Sequence, residues 1–329
     1  MKLVKMYRPF PTHPGGPVTQ EVPFGSVELC RQDGWLVGEP GPEMKRMASR
    51  SKPGGYSVGI YGNGGNSYLD AIFAGCKESG LQPMFLDYSP SIIESLDIVV
   101  LHGFRHTSPE LFRKYRERNI PVFVFDAGHI CRDLGYHQLG LNGLSGHPPQ
   151  APHDRAKELG LIVKPKRRKG KNKHVLICEQ KSGDAQHKYP DFNVWTEQAV
   201  QKLEAVTIRE IIRRPHPKYA NPGVGWDEMP RTLGDQLKDA HCMVTHNSTA
   251  AYEAIIMGIP VLCDDVAVYA GVVETDWGNL EDPRFGSIPQ RQALIDRVAY
   301  GQWLLSEFEQ GLPFKFWIHE IGYDKMREL

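Results

Sequence analysis

The sequence predicts an α/β protein with two domains, each built on a doubly wound sheet of mainly parallel strands. Two observations predict it. Short, almost wholly apolar runs alternate with segments long enough for a helix, which is typical of parallel strands covered on both faces. The alternation occurs twice, once from Tyr56 and again from His174, and a basic run from Lys164 to Lys173 separates the two occurrences.

The first alternation gives a regular series of elements. We predict strands at 57–61, 83–87, 97–101 and 121–126, and helices at 67–79 and 109–118. Residues 127–152 are rich in Gly, His and Pro and show no periodicity, which predicts a long loop that is functional or disordered. A short helix is predicted at 154–159.

The second alternation follows the basic run. We predict strands at 174–178, 207–213, 242–244 and 260–263, and helices at 194–203, 231–239, 249–258 and, closing the chain, 290–309. The domains are therefore predicted as follows: residues 1–55 form an N-terminal arm or an extension of the first domain, 56–163 the first domain, 164–173 the linker, and 174–329 the second domain with its terminal helix.

Composition narrows the function classes. The 329 residues carry 39 basic and 39 acidic side chains, so no overall charge attracts the protein to nucleic acid or membranes. Six cysteines without a C-x-x-C pair indicate a reducing compartment, and we expect a cytoplasmic protein. No apolar run is long enough to predict a membrane span, and we predict no metal site.

The most informative segment runs from Ala240 to Asp265. It reads as a strand, a polar turn with Asn247, Ser248 and Thr249, an Ala-rich helix and a second strand. A polar turn between a strand and a helix N-terminus favours an anion, because the first helical amides are unpaired and the dipole there is positive. Glu253 follows about one helical turn later.

A second polar turn, Arg214-Pro215-His216-Pro217, follows an earlier strand of the same half. The prolines stop the chain from continuing as sheet or helix. A rigidly held Arg and His suit a phosphate, since Arg binds it as a bidentate fork. Both turns are predicted at the carboxyl edge of one sheet, where open α/β sheets bind ligands.

The pairing of this "RPHP" turn with "THNSTAAYEAIIMGIPV" resembles the donor-binding half of GT-B glycosyltransferases, of the capsule and Kdo-transferase type with an HP motif and of related bacteriophage-encoded proteins. The resemblance covers about residues 173–269. It implies two Rossmann-like domains that face a cleft, a nucleotide-sugar donor (a UDP- or CMP-sugar), and no required cofactor.

The same resemblance implies roles for individual residues. Those expected to contact the donor phosphates are Arg214, His216, Asn247, Ser248 and Thr249. A helix glutamate often binds the ribose in this family, which points to Glu253; the second glutamate of the family's E-x7-E pattern is replaced by Val261.

Two further loops follow predicted strands. Gln180 and Ser182, after the first strand of the second domain, are predicted donor contacts through small polar groups and backbone amides. In the first domain the turn 62–67 resembles a dinucleotide fingerprint with Ser in place of the third Gly. Because GT-B proteins also place Gly-rich turns at the cleft, we predict Gly64 and Asn66 as acceptor contacts.

Direct sugar transfer needs a general base beside the acceptor hydroxyl. Asp126, at the end of the last clear strand of the first domain, is the first choice, and His129 and His106 are the second.

The basic run holds Lys166 and Arg167, which are predicted acceptor contacts if the acceptor is a polyanion. Together with the phage resemblance, the run favours a hydroxymethylated base in double-stranded phage DNA, hence DNA modification, as the acceptor. The alternatives are a capsule or lipopolysaccharide saccharide acceptor, a nucleotide-sugar 2-epimerase, a NAD-dependent oxidoreductase, and a non-catalytic sugar-nucleotide or nucleic-acid binding module.

Overall fold

The computed structural model describes residues 55–89, 93–104, 107–167, 173–183, 189–216 and 232–329, together with the backbone of three short N-terminal strands. Those strands, β1 (Leu3–Tyr7), β2 (Thr19–Pro23) and β3 (Leu36–Val37), form an antiparallel sheet in the order β2-β1-β3. No helix in the described ranges has the length and apolar character that a bilayer crossing requires.

The first large sheet contains six strands in the order β13-β8-β7-β6-β4-β5. Their bounds are β4 Ser57–Tyr61, β5 Gln82–Leu86, β6 Ile98–His102, β7 Val122–Ala127, β8 His137–Leu141 and β13 Gln302–Trp303. The strands β4 to β7 are parallel, whereas β8 and β13 run antiparallel to their neighbours.

Two helices cover opposite faces of this sheet. Helix α1 (Ser67–Glu78) packs on one face through residues such as Ile72, and α2 (Ser108–Glu117) packs on the other through Leu111 and Tyr115. The doubly wound arrangement predicted for the first half is therefore present, because successive strand residues point to opposite faces and both faces are apolar.

The second large sheet is wholly parallel, in the order β10-β9-β11-β12. It is built from β9 His174–Cys178, β10 Ile211–Arg214, β11 Ala240–Thr245 and β12 Val261–Cys263. Its helices are α4 Phe192–Glu204, α5 Leu233–Lys238, α6 Ala250–Met257 and α7 Ile288–Ala299, and α3 (Asp154–Glu158) lies in the connection from the first sheet. Helix α4 covers one face, while α6 and α7 pack on the other.

The predicted loop 127–152 contains a strand. Residues of β8 pair antiparallel with β7 and are almost fully buried. The sequence did not predict this strand, because Gln138 and Gly140 interrupt the apolar run expected of a buried strand. The glycine is required by packing: a Cβ at Gly140 would lie 2.2 Å from the carbonyl oxygen of Gly143.

The predicted terminal helix 290–309 is two helices with a strand between them. Helix α7 ends at Ala299, β13 pairs with β8, and α8 (Leu305–Glu309), α9 (Leu312–Lys315), a π-helix (Phe316–Gly322) and α10 (Tyr323–Glu328) follow. Residues 302–329 thus return to the first sheet, although the sequence placed them in the second domain. Helix α8 approaches α1 so closely that a Cβ at Gly75 would lie 1.7 Å from the Phe308 carbonyl oxygen.

Arg155 fixes this return. Its guanidinium donates to both carboxylate oxygens of Glu307, at 2.9 and 2.7 Å, and to the carbonyl of Gln302, and it lies 3.9 Å from the ring centre of Trp303. The arginine side chain is 11% exposed, so these contacts are largely shielded from water. Removing one partner of a shielded, bidentate ion pair strongly destabilises the fold, because the other charge is left without a partner.

We expect Arg155→Ala to lower the free energy of unfolding by about 3 kcal/mol, because Glu307 and the Gln302 carbonyl lose a buried charged partner. The exposed Lys157, on the same helix, provides the control: Lys157→Ala should change stability by less than ~0.5 kcal/mol. Urea unfolding followed by fluorescence measures both variants. Equal urea midpoints for the two variants would show that Arg155 does not hold residues 302–329 against the first sheet.

Candidate functional site

The carboxyl edge of the second sheet gathers polar side chains from neighbouring strands. Gln180 follows β9 and Asn247 follows β11, which is adjacent. The Gln180 amide donates to Asn247 Oδ1 at 2.8 Å, and the Asn247 backbone amide donates to Gln180 Oε1 at 3.0 Å. This reciprocal pair ties the two strand-ending loops together and fixes the turn that precedes α6.

Arg214 ends β10 at the same edge and is buried, with 9% of its surface exposed. Its guanidinium donates to the side-chain oxygen of Gln236 on α5. The neighbouring Arg213 is exposed and instead pairs with Glu179 and Glu197, at 2.7 Å each. Two adjacent arginines therefore lie in opposite environments. His216, which is half-buried, follows two residues after Arg214.

The turn into α6 is formed by Ser248 and Thr249. Ser248 Oγ accepts the backbone amide of Ala250 at 3.3 Å, and its carbonyl accepts the Tyr269 hydroxyl at 2.9 Å. Thr249 occupies the N-cap position without a side-chain cap bond. Ser248 and Thr249 thus lie at the start of α6, directly after Asn247 of the Gln180–Asn247 pair.

Glu253 lies in the first turn of α6, exposed to solvent but surrounded by protein groups. Desolvation raises the pKa of its carboxyl, and Asp133 raises it further, against the opposite effects of Arg214 and Arg132. Arg132 and Asp133 belong to the β7–β8 connection of the first sheet. Charged groups of the first sheet's loop therefore act on the Glu253 carboxyl.

His129 is buried in the same junction. Its ring stacks on Tyr252 of α6 and meets His147 edge-on, with ring centres 6.2 and 5.8 Å apart. Burial lowers the pKa of His129 well below its ordinary value, and His147 and Arg132 add to this; burial lowers the pKa of His147 to about 3. Both imidazoles are thus neutral packing groups between the sheets.

Asp126 ends β7 at the carboxyl edge of the first sheet and is half-buried. Its Oδ1 accepts the backbone amide of Ala127 at 2.7 Å. His137 on β8 lies nearby: burial and His102 lower the pKa of His137, while Asp126 opposes that effect. His106 lies outside the described residues.

Gly64 and Asn66 line a pocket of about 440 Å³ at this first edge. The remaining lining residues are Tyr61, Gly62, Asn63, Gly65, Leu69, Tyr88 and His102. Asn66 is the N-cap of α1 and accepts the Tyr68 amide at 3.0 Å. The Gly-rich turn predicted from the sequence therefore forms one wall of a concave site.

The remaining predicted site residues are Lys166, Arg167 and Ser182. The backbone amide of Arg167 donates to the Gly258 carbonyl and Lys166 Nζ to the Pro283 carbonyl, at 2.8 and 2.9 Å. Gly258 precedes β12, so Arg167 lies at the amino edge of the second sheet. Ser182 accepts the Phe192 amide at 2.8 Å, at the start of α4.

The sequence did not single out His246 and Asp264 as a pair. His246 Nδ1 lies 2.5 Å from Asp264 Oδ2, and the Trp195 indole donates to the same oxygen at 2.8 Å. The His246 ring also packs against Tyr189 and Phe192. The one available signal was that both residues directly follow adjacent parallel strands, which brings them to the same edge.

No family model matches this sequence, and no curated protein sequence matches it. Solved structures do match. Thermosulfurimonas dismutans KpsC, beta Kdo 2,4 transferase, is 16% identical, with a TM-score of 0.45 over 74% of this chain and 89% of that one. KpsC, beta Kdo 2,7 transferase, from the same organism is 15% identical, with a TM-score of 0.45 over 73% and 89%.

The heterocyclase TruD is 13% identical, with a TM-score of 0.20 over 59% of this chain and 24% of that one. At TM-scores this low, the fold and the reaction are inferred from the chain's own geometry.

The Asp264 cluster predicts a pH dependence of stability. Partial burial alone raises the pKa of the Asp264 carboxyl, but the hydrogen bonds from His246 and Trp195 outweigh it and lower the pKa overall. A lowered carboxyl pKa stabilises the fold above the ordinary value of about 3.9, and this contribution is lost as the pH falls through the folded-state pKa.

We therefore expect Asp264→Asn to lower the free energy of unfolding at pH 7 by about 1–3 kcal/mol and to flatten its decline toward acid pH. The adjacent, exposed Asp265 is the control, since Asp265→Asn should leave the profile unchanged. Urea unfolding between neutral and acid pH tests both variants. An unaltered acid profile in Asp264→Asn would contradict the assignment.

Proposed function

We propose that this protein is a glycosyltransferase that moves a sugar from a nucleotide-sugar donor to a hydroxyl acceptor. The proposal is supported by the carboxyl edge of the second sheet, which gathers Arg214, Asn247 and the start of α6, and by the ring of His129, after β7, which stacks on Tyr252 of α6. A cleft between such edges can hold two substrates and exclude water, which otherwise hydrolyses an activated sugar.

The second edge suits the nucleotide phosphates. The amides at the start of α6 and the positive end of its dipole favour an anion, and the Thr249 side chain makes no cap bond there. Arg214 adds a charge that is already shielded from water, which strengthens its interaction with a bound phosphate. His216 follows on the same loop as a further donor.

The reaction breaks the bond between the anomeric carbon and a phosphate oxygen, and a new bond forms to the acceptor oxygen. Negative charge develops on the departing phosphate, where Arg214 and the helix start stabilise it; this electrostatic contribution is usually the largest in such reactions. The acceptor hydroxyl loses its proton, and Asp126, at the opposite edge, is the proposed general base.

Glu253 is the proposed partner of the donor's ribose. Its raised pKa reflects a desolvated site beside Arg214, where a carboxyl accepts hydrogen bonds from ribose hydroxyls. The position supports a role at the boundary between donor and acceptor, because Arg132 and Asp133 of the first sheet's loop face the same carboxyl.

The described residues of the basic run favour a saccharide hydroxyl over DNA as the acceptor. Lys166 and Arg167 lie at the amino edge of the second sheet, and Lys173, where the described chain resumes, precedes β9 at that same edge. A cation on that side cannot neutralise the phosphates of a substrate held in the cleft.

Arg214 and Arg213 form a matched pair for testing the donor site. We expect one nucleotide among UDP, CMP, GDP, ADP and NAD to raise the melting temperature. Arg214→Gln should weaken its binding by about 10–100-fold, since a hydrogen bond to a charged group contributes ~1.5–3 kcal/mol. Arg213→Gln, which removes an exposed charge from the same strand, should bind normally.

The measurement is the ligand-induced shift of each variant relative to its own unliganded melting temperature, so a loss of fold stability does not enter. His216→Ala should also reduce the shift. The donor site is refuted by the absence of any nucleotide effect, or by equal shifts in the two arginine variants.

Asp126→Asn should lower the rate of sugar transfer by about 10²–10⁴-fold while the nucleotide-induced shift stays unchanged, because the base acts on the acceptor. Asp133→Asn, an exposed acid beside the same cleft, is the control. The assay follows nucleotide release from the nucleotide-sugar with and without acceptor. A full transfer rate in Asp126→Asn would assign the base elsewhere.

A further inference from the structure

We propose that the 440 Å³ pocket at the first sheet's carboxyl edge is a saccharide subsite that takes an uncharged pyranose unit of the acceptor. The inference rests on the proposed function and names the acceptor class that this function leaves open. The volume falls within the range of ~300–1,000 Å³ typical of small-molecule sites.

The aromatic part of the lining supports a sugar ring. Tyr88 is 38% exposed, and its ring centre lies 5.6 Å from that of the buried Tyr61. The Tyr88 hydroxyl accepts the backbone amide of His102 at 3.3 Å, which fixes the ring at the pocket wall. A pyranose offers an apolar face of C–H groups, and a rigid aromatic ring covers such a face at low entropic cost.

The polar part of the lining is neutral. Asn63, Asn66, His102 and the exposed backbone of the Gly-rich turn supply hydrogen-bonding groups, and no described lining residue is Lys or Arg. Groups of this kind match hydroxyls around the edge of a sugar ring, which act as both donors and acceptors.

The helix start beside the pocket is unsuited to a phosphate. The Gly65 amide donates to both carboxylate oxygens of Asp70, at 3.2 and 3.1 Å, and the Tyr68 amide donates to Asn66. Asp70 thus places a negative charge where a phosphate would bind, and two amides at this helix start are already occupied. Side chains of the same segment therefore already bind backbone amides at this dinucleotide-like turn.

The same carboxylate acts against acidic sugars. Asp70 accepts the amide of Gly65, which lines the pocket, so its negative charge disfavours acidic sugars as well as phosphates.

The test uses the full chain and ligand-observed NMR with methyl glucoside, methyl galactoside, methyl mannoside and methyl glucuronide, plus inorganic phosphate and a short DNA duplex. At least one neutral glycoside should bind. The glucuronide should bind about tenfold more weakly than its neutral counterpart, because its charge is repelled by Asp70. Phosphate and DNA should not displace the glycoside.

Asn63→Trp fills the pocket from an exposed turn, and Met84→Trp adds the same ring on the exposed strand β5, outside the lining. The first variant should weaken glycoside binding by about tenfold or more, and the second should not change it. Tyr88→Leu, which removes the aromatic ring but keeps an apolar side chain, should weaken it likewise. The unliganded melting temperature of each variant verifies that it is folded.

Several outcomes overturn the inference: no glycoside binds, the two tryptophan variants bind alike, or the glucuronide, phosphate or DNA occupies the pocket in an Asn63-dependent manner. The donor proposal can fail independently. If a nucleotide shifts the melting temperature but no glycoside binds, only the saccharide subsite is refuted. If a glycoside binds in an Asn63-dependent manner but no nucleotide shifts the melting temperature, the glycosyltransferase proposal is refuted and the sugar site stands.

Discussion

The buried Gln302 side chain holds the loop through which the first half of the chain contacts the second. Its Oε1 accepts the backbone amides of His129 and Ile130, at 2.7 and 3.3 Å, and so fixes the loop that follows β7. Arg155 in turn holds the Gln302 carbonyl. Because the His129 ring of this loop stacks on Tyr252 of α6, the position of β13 affects the contact between the two halves.

The carboxyl edges of the two sheets differ in charge. The second edge presents Arg214 and the start of α6, whereas the first edge presents neutral groups next to Asp70. In the proposed reaction this difference favours an anionic donor at the second edge and an uncharged acceptor at the first. The two helix starts differ because the Gly65 amide before α1 donates to the Asp70 carboxylate, whereas the Thr249 side chain makes no cap bond at α6.

Much of this arrangement could be predicted from the sequence, because it is local. The apolar runs identified β4, β6, β9 and β11, and polar residues just after strands must meet at one edge of a parallel sheet. The remainder depends on pairing between distant segments. β8 and β13 carry Gln138 and Gln302 at buried positions, where the two side chains contact each other, so neither strand has an apolar signature.

Gly75 has a consequence for the order of folding during synthesis. Its missing side chain admits the backbone of Phe308, and the aromatic groups that follow complete the core of the first sheet. That core therefore cannot close before residues 302–329 have been synthesised. The first sheet keeps apolar surface uncovered while the second is made, which is the condition that favours aggregation of nascent chains.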